Sequence, residues 1–569
     1  MAKAIIVSIF ILFLSVAGLE SYMRACYGVL PFEPVPYHFE YKYVDIYKPL
    51  FAKDLKKGIY VSYREEGHAE TFSVFKSPDT VRIFIIGGSV AGGWGSDDFT
   101  TTLKEIVPDK NFEIINCGMG GYDSYRVSLI AKEIVSYEPD LVIVLSGNNE
   151  FYEKAKINLW GYYANKSLRG LWIYRKLQNY LLRWLDDRDL LYKRSAKQKL
   201  VDYERNIRRI VKMVKAKNVP IILGTLPVNF RDCPPDDARF LDKQFLLGKF
   251  LLESGDYLEA IDVFKDVINQ NSDNSLGYYF LGRAYDKGGD YLKAKENYLT
   301  AVSLSVTWNR AKPGSNAIIR QICEEKAVVL ADLELEFMNI SLHGLLGREQ
   351  FYDSCHFWDE YYSVVTRVIV NEIFKDEALS YILGSSRYKL DYPLFSFDFT
   401  PLKKRRINED DIESAIKVAM WESGIGSDNT LNERAVLYLK TVYLIDTDSL
   451  WGIKDSKEKI KALFFTENSY KGYFDQFDTN FNAYWPQIFY HIGETYRRLK
   501  LYKESLIYFN EAIVLDEDNY LPYLGKALVY RALGDTPKAR ENINKAGEKA
   551  KGLEECSLEV KYYKEILEL

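Results

Sequence analysis

The chain has 569 residues, a length that at roughly 150 residues per domain implies about three or four units. Hydrophobic residues at 47% and charged residues at 27% exclude a disordered or collagenous chain. A net charge of −5 excludes a bulk electrostatic partner such as nucleic acid, which needs a basic face. The 44 Tyr, 31 Phe and 9 Trp fit either stacked helical repeats or a carbohydrate- or lipid-facing surface, and do not choose between them.

In chain order, residues 4–19 are an apolar or small-residue run behind Lys3. With Ser21, Tyr22 and Met23 the stretch reaches the length of a single membrane span, about 17–20 residues. Residues 1–23 are therefore expected to be a signal anchor oriented N-inside, with the bulk of the chain exported. Ser15-Val16-Ala17 also resembles a cleavage site, so a secreted or periplasmic product stays open. Residues 24–80 carry Pro31, Pro34, Pro36 and Pro49 with no sustained period and are expected to be an extended arm.

An alternation of strands and helices follows. Residues 81–86 (VRIFII), 112–116 (FEIIN), 141–145 (LVIVL), 219–223 (VPIIL) and 327–331 (AVVLA) read as strands. Between and after them, Val127, Ile130, Ala131 and Ile134, then Ile207, Ile210, Val211 and Val214, then Tyr361, Val364, Val365 and Val368, repeat the spacing of one helical face. Continuous apolar strands separated by amphipathic helices imply an α/β fold, a parallel sheet covered on both faces. Residues 151–197, rich in aromatic, leucine and basic residues, would form capping helices or a lipid-touching surface.

A repeat interrupts this pattern. Gly248, Leu251, Gly255, Tyr257, Ala260 and Phe264 return 34 residues later as Gly282, Tyr285, Gly289, Tyr291, Ala294 and Tyr298. That offset is the tetratricopeptide period. The pattern returns at Gly493, Tyr496, Tyr502, Ser505, Phe509 and Ala512, and again at Ala527, Tyr530, Gly534, Ala539 and Ala546. The expected division is an α/β domain in two pieces, 81–237 and 306–375, a repeat pair inserted at 238–305, a helical linking region at 376–480 and closing repeats at 481–569.

Open α/β sheets keep their sites at the carboxyl ends of the strands. After the first strand stands Gly87-Gly88-Ser89-Val90, and after the second Asn116-Cys117-Gly118-Met119-Gly120-Gly121. After the third stands Gly147-Asn148-Asn149-Glu150, and Asp353-Ser354-Cys355-His356 precedes the last helix. The first loop has Ser89 where a dinucleotide fingerprint needs glycine, and it lacks the Gly-Lys-Ser/Thr of a phosphate loop. A serine on a tight strand-to-helix turn is the remaining reading. Among five histidines, only His356 follows an aspartate by three residues, which puts both side chains on one side of a turn. Six cysteines without a CxxC pair exclude a disulfide framework and a zinc ribbon.

The four segments, in this order, resemble the SGNH (GDSL-type) hydrolase family on a flavodoxin-like three-layer sheet. The resemblance implies Ser89 as nucleophile, His356 as base and Asp353 as its orienting carboxylate. Ser89, Gly121 and Asn149 would donate to an oxyanion, and neither metal nor organic cofactor is required. It departs in the first block, Gly-Gly-Ser-Val for Gly-Asp-Ser-Leu, and at Glu150, where the family has aspartate. The implied function is an exported serine esterase acting on an acyl ester, with O-acyl esters of a glycan as the expected substrate. A protein or peptide partner would sit on the repeats and the membrane would hold the N-terminal helix. Acyl transfer by the same residues, a non-catalytic envelope scaffold and a lipid-facing esterase are the rival readings.

Overall fold

The computed structural model describes residues 50–62, 70–151, 196–235, 242–305, 310–347, 349–351, 353–383 and 500–568, with Tyr490, Gly493, Glu494 and Arg497. The expected membrane anchor, most of the aromatic segment at 151–197 and nearly all of the linking region lie outside these residues. Among the described residues no helix is long and apolar enough to cross a membrane.

The part of the expected arm that is described is a three-stranded antiparallel sheet: β1 (Phe51–Asp54), β2 (Ile59–Ser62) and β3 (Thr71–Ser73). Strands of three or four residues are too short to show an alternation in the sequence, which is why only an irregular arm was legible there. The small sheet is fastened by aromatic edges: Phe72 meets Phe51 at 5.0 Å and Phe84 at 5.5 Å, both edge-on.

The main sheet is parallel. β4 (Thr80–Gly87) lies between β5 (Asn111–Asn116) and β6 (Leu141–Leu145), and β7 (Ile221–Gly224) and β8 (Val329–Ala331) follow β6, giving the order β5-β4-β6-β7-β8. Successive residues of β4 face opposite layers, as a period of two requires. Ile83 and Ile85 enter one core with Phe99, Leu103, Val364 and Val365, while Phe84 and Ile86 enter the other with Val127, Ile130, Ile207 and Ile210. This three-layer α/β arrangement has the strand order of a flavodoxin-like fold. β7 begins two residues later than the apolar run, after Pro220, which has no N–H to give a ladder. β8 is shorter than expected because Ala327 takes φ 46° at the end of the preceding helix.

The helices, in chain order, are α1 (Ser89–Gly93), α2 (Ser96–Ile106), α3 (Ser124–Ile134) and α4 (Ala196–Lys215). The inserted repeats follow β7: α5 (Lys243–Ser254), α6 (Tyr257–Gln270), α7 (Ser275–Lys287) and α8 (Tyr291–Leu304). Then come α9 (Pro313–Lys326), α10 (Leu333–Ile340), α11 (Tyr362–Lys375), α12 (Glu377–Ile382), α13 (Tyr502–Leu515), α14 (Tyr520–Ala532), α15 (Thr536–Lys549) and α16 (Glu554–Ile566).

The repeat pattern has a direct packing cause. A Cβ on Gly248 would stand 2.8 Å from the Phe264 ring, and one on Gly282 would stand 2.9 Å from the Tyr298 ring. Only a residue without a side chain lets the paired helix seat its aromatic there. The two repeat regions, far apart in sequence, share one core. Phe245, Phe264, Leu276 and Leu281 pack with Leu524, Ile543, Val560 and Tyr563. α16 therefore lies against α5, with an ion pair from Lys243 to Glu565 at the rim. The inserted repeats are rooted in the α/β domain as well, since Tyr279, Tyr298 and Ala301 belong to the same core as Phe230, Phe337 and Phe357.

Candidate active site

The first loop begins where β4 ends. Gly87 and Gly88 permit close approach: a Cβ on Gly87 would fall 2.0 Å from the Leu145 carbonyl oxygen, and one on Gly88 would fall 2.9 Å from Asn149 Nδ2. Gly88 is the extended N-cap of α1, so Ser89 occupies the first helical position, at the sheet's carboxyl end.

Asn116, at the end of β5, holds that short helix in place. Its buried amide donates to the carbonyls of Ala91 at 2.8 Å and Trp94 at 2.7 Å, and its oxygen accepts from the Gly118 N–H at 2.9 Å. The chain then turns through Gly121, whose φ of +67° is a left-handed conformation that favours glycine. Next to it, the Tyr122 carbonyl accepts from Asn149 Nδ2 at 3.1 Å. An amide carries two N–H donors, and this bond uses one of them. The loops bearing Ser89, Gly121 and Asn149 thus meet around Gly88, Tyr122 and the Asn149 side chain.

The fourth segment is pinned by a bridge between Phe351 and Phe357. Within it, Asp353 Oδ1 accepts from the N–H groups of Cys355 at 2.8 Å and His356 at 2.6 Å, while Oδ2 lies 2.5 Å from His356 Nδ1. Burial would raise the Asp353 carboxyl, but the His356 ring and these N–H donors prevail and hold it below the ordinary carboxylate range. An ionised Asp353 accepts a hydrogen bond from the Nδ1–H of His356, which leaves Nε2 as an acceptor. That atom lies 2.6 Å from Ser89 Oγ, across 267 residues of sequence. A hydroxyl, an imidazole and a buried carboxylate therefore form one continuous hydrogen-bonded line, in which a proton can leave Ser89 and the positive charge that results on the ring is balanced.

The remaining loop residues support this line. Ser124 N and Oγ both donate to Glu150, and Asn148 Oδ1 accepts from the Ala311 N–H at 2.7 Å. Glu150 thus makes a defined bond to the start of α3. The other described histidine, His343, stacks on Tyr291 in the inserted repeats, away from the triad. Cys117 and Cys355 are buried. Among the described residues, Asp353, Cys355 and His356 are the group whose donor atoms converge, within 4.8 Å, as metal ligands would. In that group His356 Nδ1 already spends its donor on Asp353, so the triad accounts for the cluster.

Sequence reasoning missed Asn229. It is fully buried in the loop after β7 and bonds the carbonyls of both Asp353 and Ser354. Its position at the carboxyl end of the fourth parallel strand was the available signal.

The tetratricopeptide repeat family matches residues 277–305 and 486–519. Among solved structures the chain is similar to a GDSL-like lipase from Bacteroides thetaiotaomicron, at 12% identity over 52% of this chain and 88% of that one, with a TM-score of 0.26. It is also similar to a lipase/acylhydrolase from Enterococcus faecalis, at 13% identity over 52% and 95%, with a TM-score of 0.26. A third similar structure is the TPR domain of P58(IPK), at 14% identity over 57% and 98%, with a TM-score of 0.14. No curated protein matches the sequence.

Proposed function

We propose that the protein is a serine esterase that forms an acyl-enzyme on Ser89. The observation that carries this reading is the line from Ser89 Oγ to His356 Nε2 at 2.6 Å and from His356 Nδ1 to Asp353 Oδ2 at 2.5 Å. A serine hydroxyl is a poor nucleophile until a neighbouring base takes its proton. His356 Nε2 takes it as Oγ bonds to the ester carbonyl carbon, and Asp353 balances the imidazolium. The oxyanion formed in that step would be met by the Ser89 and Gly121 N–H groups and the Asn149 amide. His356 then returns the proton to the departing alkoxide. A water, deprotonated by the same nitrogen, releases the acid and restores Ser89.

The substrate class we favour is an O-acyl ester of a glycan, following the family resemblance of the four loops. A sugar hydroxyl in place of water would make the protein an acyltransferase with the same groups. We further propose that the chain works outside the cytoplasm, held by residues 4–19, and that the tetratricopeptide array receives a protein partner. The test of the chemistry is covalent. Incubation with a fluorophosphonate should add one phosphonyl group, mapped by peptide mass to Ser89. A folded protein that takes up no label, or takes it elsewhere, contradicts the proposal.

A further inference from the structure

We infer that Asn229 is a positioning residue for His356, and that the inserted repeats hold it there. The inference rests on the esterase reading of the triad and extends it to residues outside the four family-like loops.

All the polar groups of Asn229 are engaged. Its N–H donates to the Ser354 carbonyl at 3.0 Å and its Nδ2 donates to the Asp353 carbonyl at 3.2 Å. Its Oδ1 accepts from the Asp232 N–H at 2.9 Å, and its carbonyl accepts from Arg310 Nη1 at 2.7 Å. The residue is fully buried, so water cannot replace these partners. Two of the four bonds grip successive carbonyls, of Asp353 and Ser354, in the turn that carries the side chains of Asp353 and, three residues on, His356. The turn's own bonds fix the ring relative to Asp353. What fixes the whole turn relative to Ser89 is the contact from outside it, and Asn229 supplies two hydrogen bonds of that contact.

The loop carrying Asn229 is in turn gripped by the repeats. Arg231 forms a two-pronged ion pair with Asp286 on α7, Nε to Oδ2 at 2.8 Å and Nη2 to Oδ1 at 3.2 Å. The Arg231 carbonyl accepts from the Tyr279 hydroxyl at 2.8 Å, also on α7, and Tyr298 on α8 donates to Asp286 at 3.2 Å. Phe230, between the two anchors, packs with the Tyr298 ring at 6.1 Å. A paired-fork geometry of this kind fixes direction as well as distance. The inserted repeat therefore belongs to the scaffold of the active site, and a change in α7 reaches His356 through Asp286, Arg231 and Asn229.

A shift of about 1 Å in a reacting group can cost about 10²-fold in rate. Asn229→Ala is expected to lower kcat for a p-nitrophenyl ester about 10²-fold with KM nearly unchanged. Asp286→Asn should lower it less, about threefold to tenfold, again in kcat. If the two residues act in one line, the double variant loses no more than Asn229→Ala alone. The low-field proton resonance of the His356 Nδ1–H, identified by its loss in His356→Ala, should move in both single variants. This second readout does not need turnover, so it tests the positioning even if the esterase reading fails. Where Asn229→Ala does not fold, Asn229→Asp and Asp286→Asn carry the same test. An unmoved resonance in folded Asn229 variants, or losses that simply multiply in the double variant, would overturn the inference.

Discussion

The carboxylate of Glu150 receives both the backbone N–H and the hydroxyl of Ser124, at 2.6 and 2.8 Å. Ser124 is fully buried and its hydroxyl also accepts from Asn206 Nδ2 at 2.9 Å. The bond ties the loop that carries Asn149 to the first turn of α3, where a negative charge is favoured by the helix dipole. The Glu150 side chain is long enough to span the gap to both donors.

Removing Glu150 should therefore cost stability more than chemistry. Glu150→Ala strands a buried N–H, with an expected loss of about 1–3 kcal/mol. Glu150→Gln, which keeps one acceptor, should lose less. Urea unfolding of both variants measures this, and wild-type stability in Glu150→Ala would contradict the structural role.

Asn149 should behave in the opposite way. Its amide already supports the fold through Tyr122, and its second N–H is the donor proposed for the oxyanion. Deleting one such donor typically lowers kcat by about 10²–10³-fold. Asn149→Ala should show that loss with KM little changed. A rise in KM at constant kcat would place Asn149 in ground-state binding instead.

Asp353 makes a prediction in pH as well as in rate. Asp353→Asn should lower kcat by about 10⁴-fold, as loss of the orienting carboxylate does in a serine triad. Because its folded pKa lies below the ordinary value, its ionised form contributes stability that is fully present above about pH 4. That contribution is lost as pH falls through the lower folded value. The wild type should therefore lose more stability than Asp353→Asn on acidification below about pH 4, measured by urea unfolding at pH 3 and pH 7. Equal acid losses in the two proteins would contradict the assignment.

Lys312 is also shifted down, but there it is the charged form that the fold disfavours. Its ammonium is buried against the Phe151 ring at 4.4 Å and the Ser303 carbonyl at 3.1 Å, and burial, with Arg310 and Lys199 nearby, pushes it down to about 8. Between about pH 8 and the ordinary lysine value near 10.5, the unfolded chain binds more protons than the folded one, so stability rises with pH there. Lys312→Met should remove that rise. The check is the urea midpoint at pH 7.5 and pH 10 for both proteins, and an equal rise in the variant would contradict it.

The α/β core was legible because strands buried on both faces read as unbroken apolar runs, and helices on their flanks repeat at 3.6 residues. Ser89, Gly121, Asn149, Asp353 and His356 were legible because each stands just past such an element, in an order that resembles one family. The repeats announced themselves through Gly248 and Gly282, whose lack of a side chain is paired 16 residues on with Phe264 and Tyr298. Two features were not legible. The union of α16 with α5 depends on apolar faces that match only in space. Asn229 and Arg231 look like any polar loop residues until the fold buries one beneath Asp353 and aims the other at Asp286. A sequence shows which residues are apolar in a period; it does not show which buried amide will face which carbonyl.

The most direct test of the account is the hydrolysis of p-nitrophenyl acetate by the wild type, Ser89→Ala and His356→Ala, each shown to be folded by circular dichroism. The account predicts turnover by the wild type and a loss of at least about 10³-fold in each variant, with the double variant no worse than the worse single one, because the two side chains act as a unit. Turnover that survives in folded Ser89→Ala, or none in the folded wild type, would contradict it.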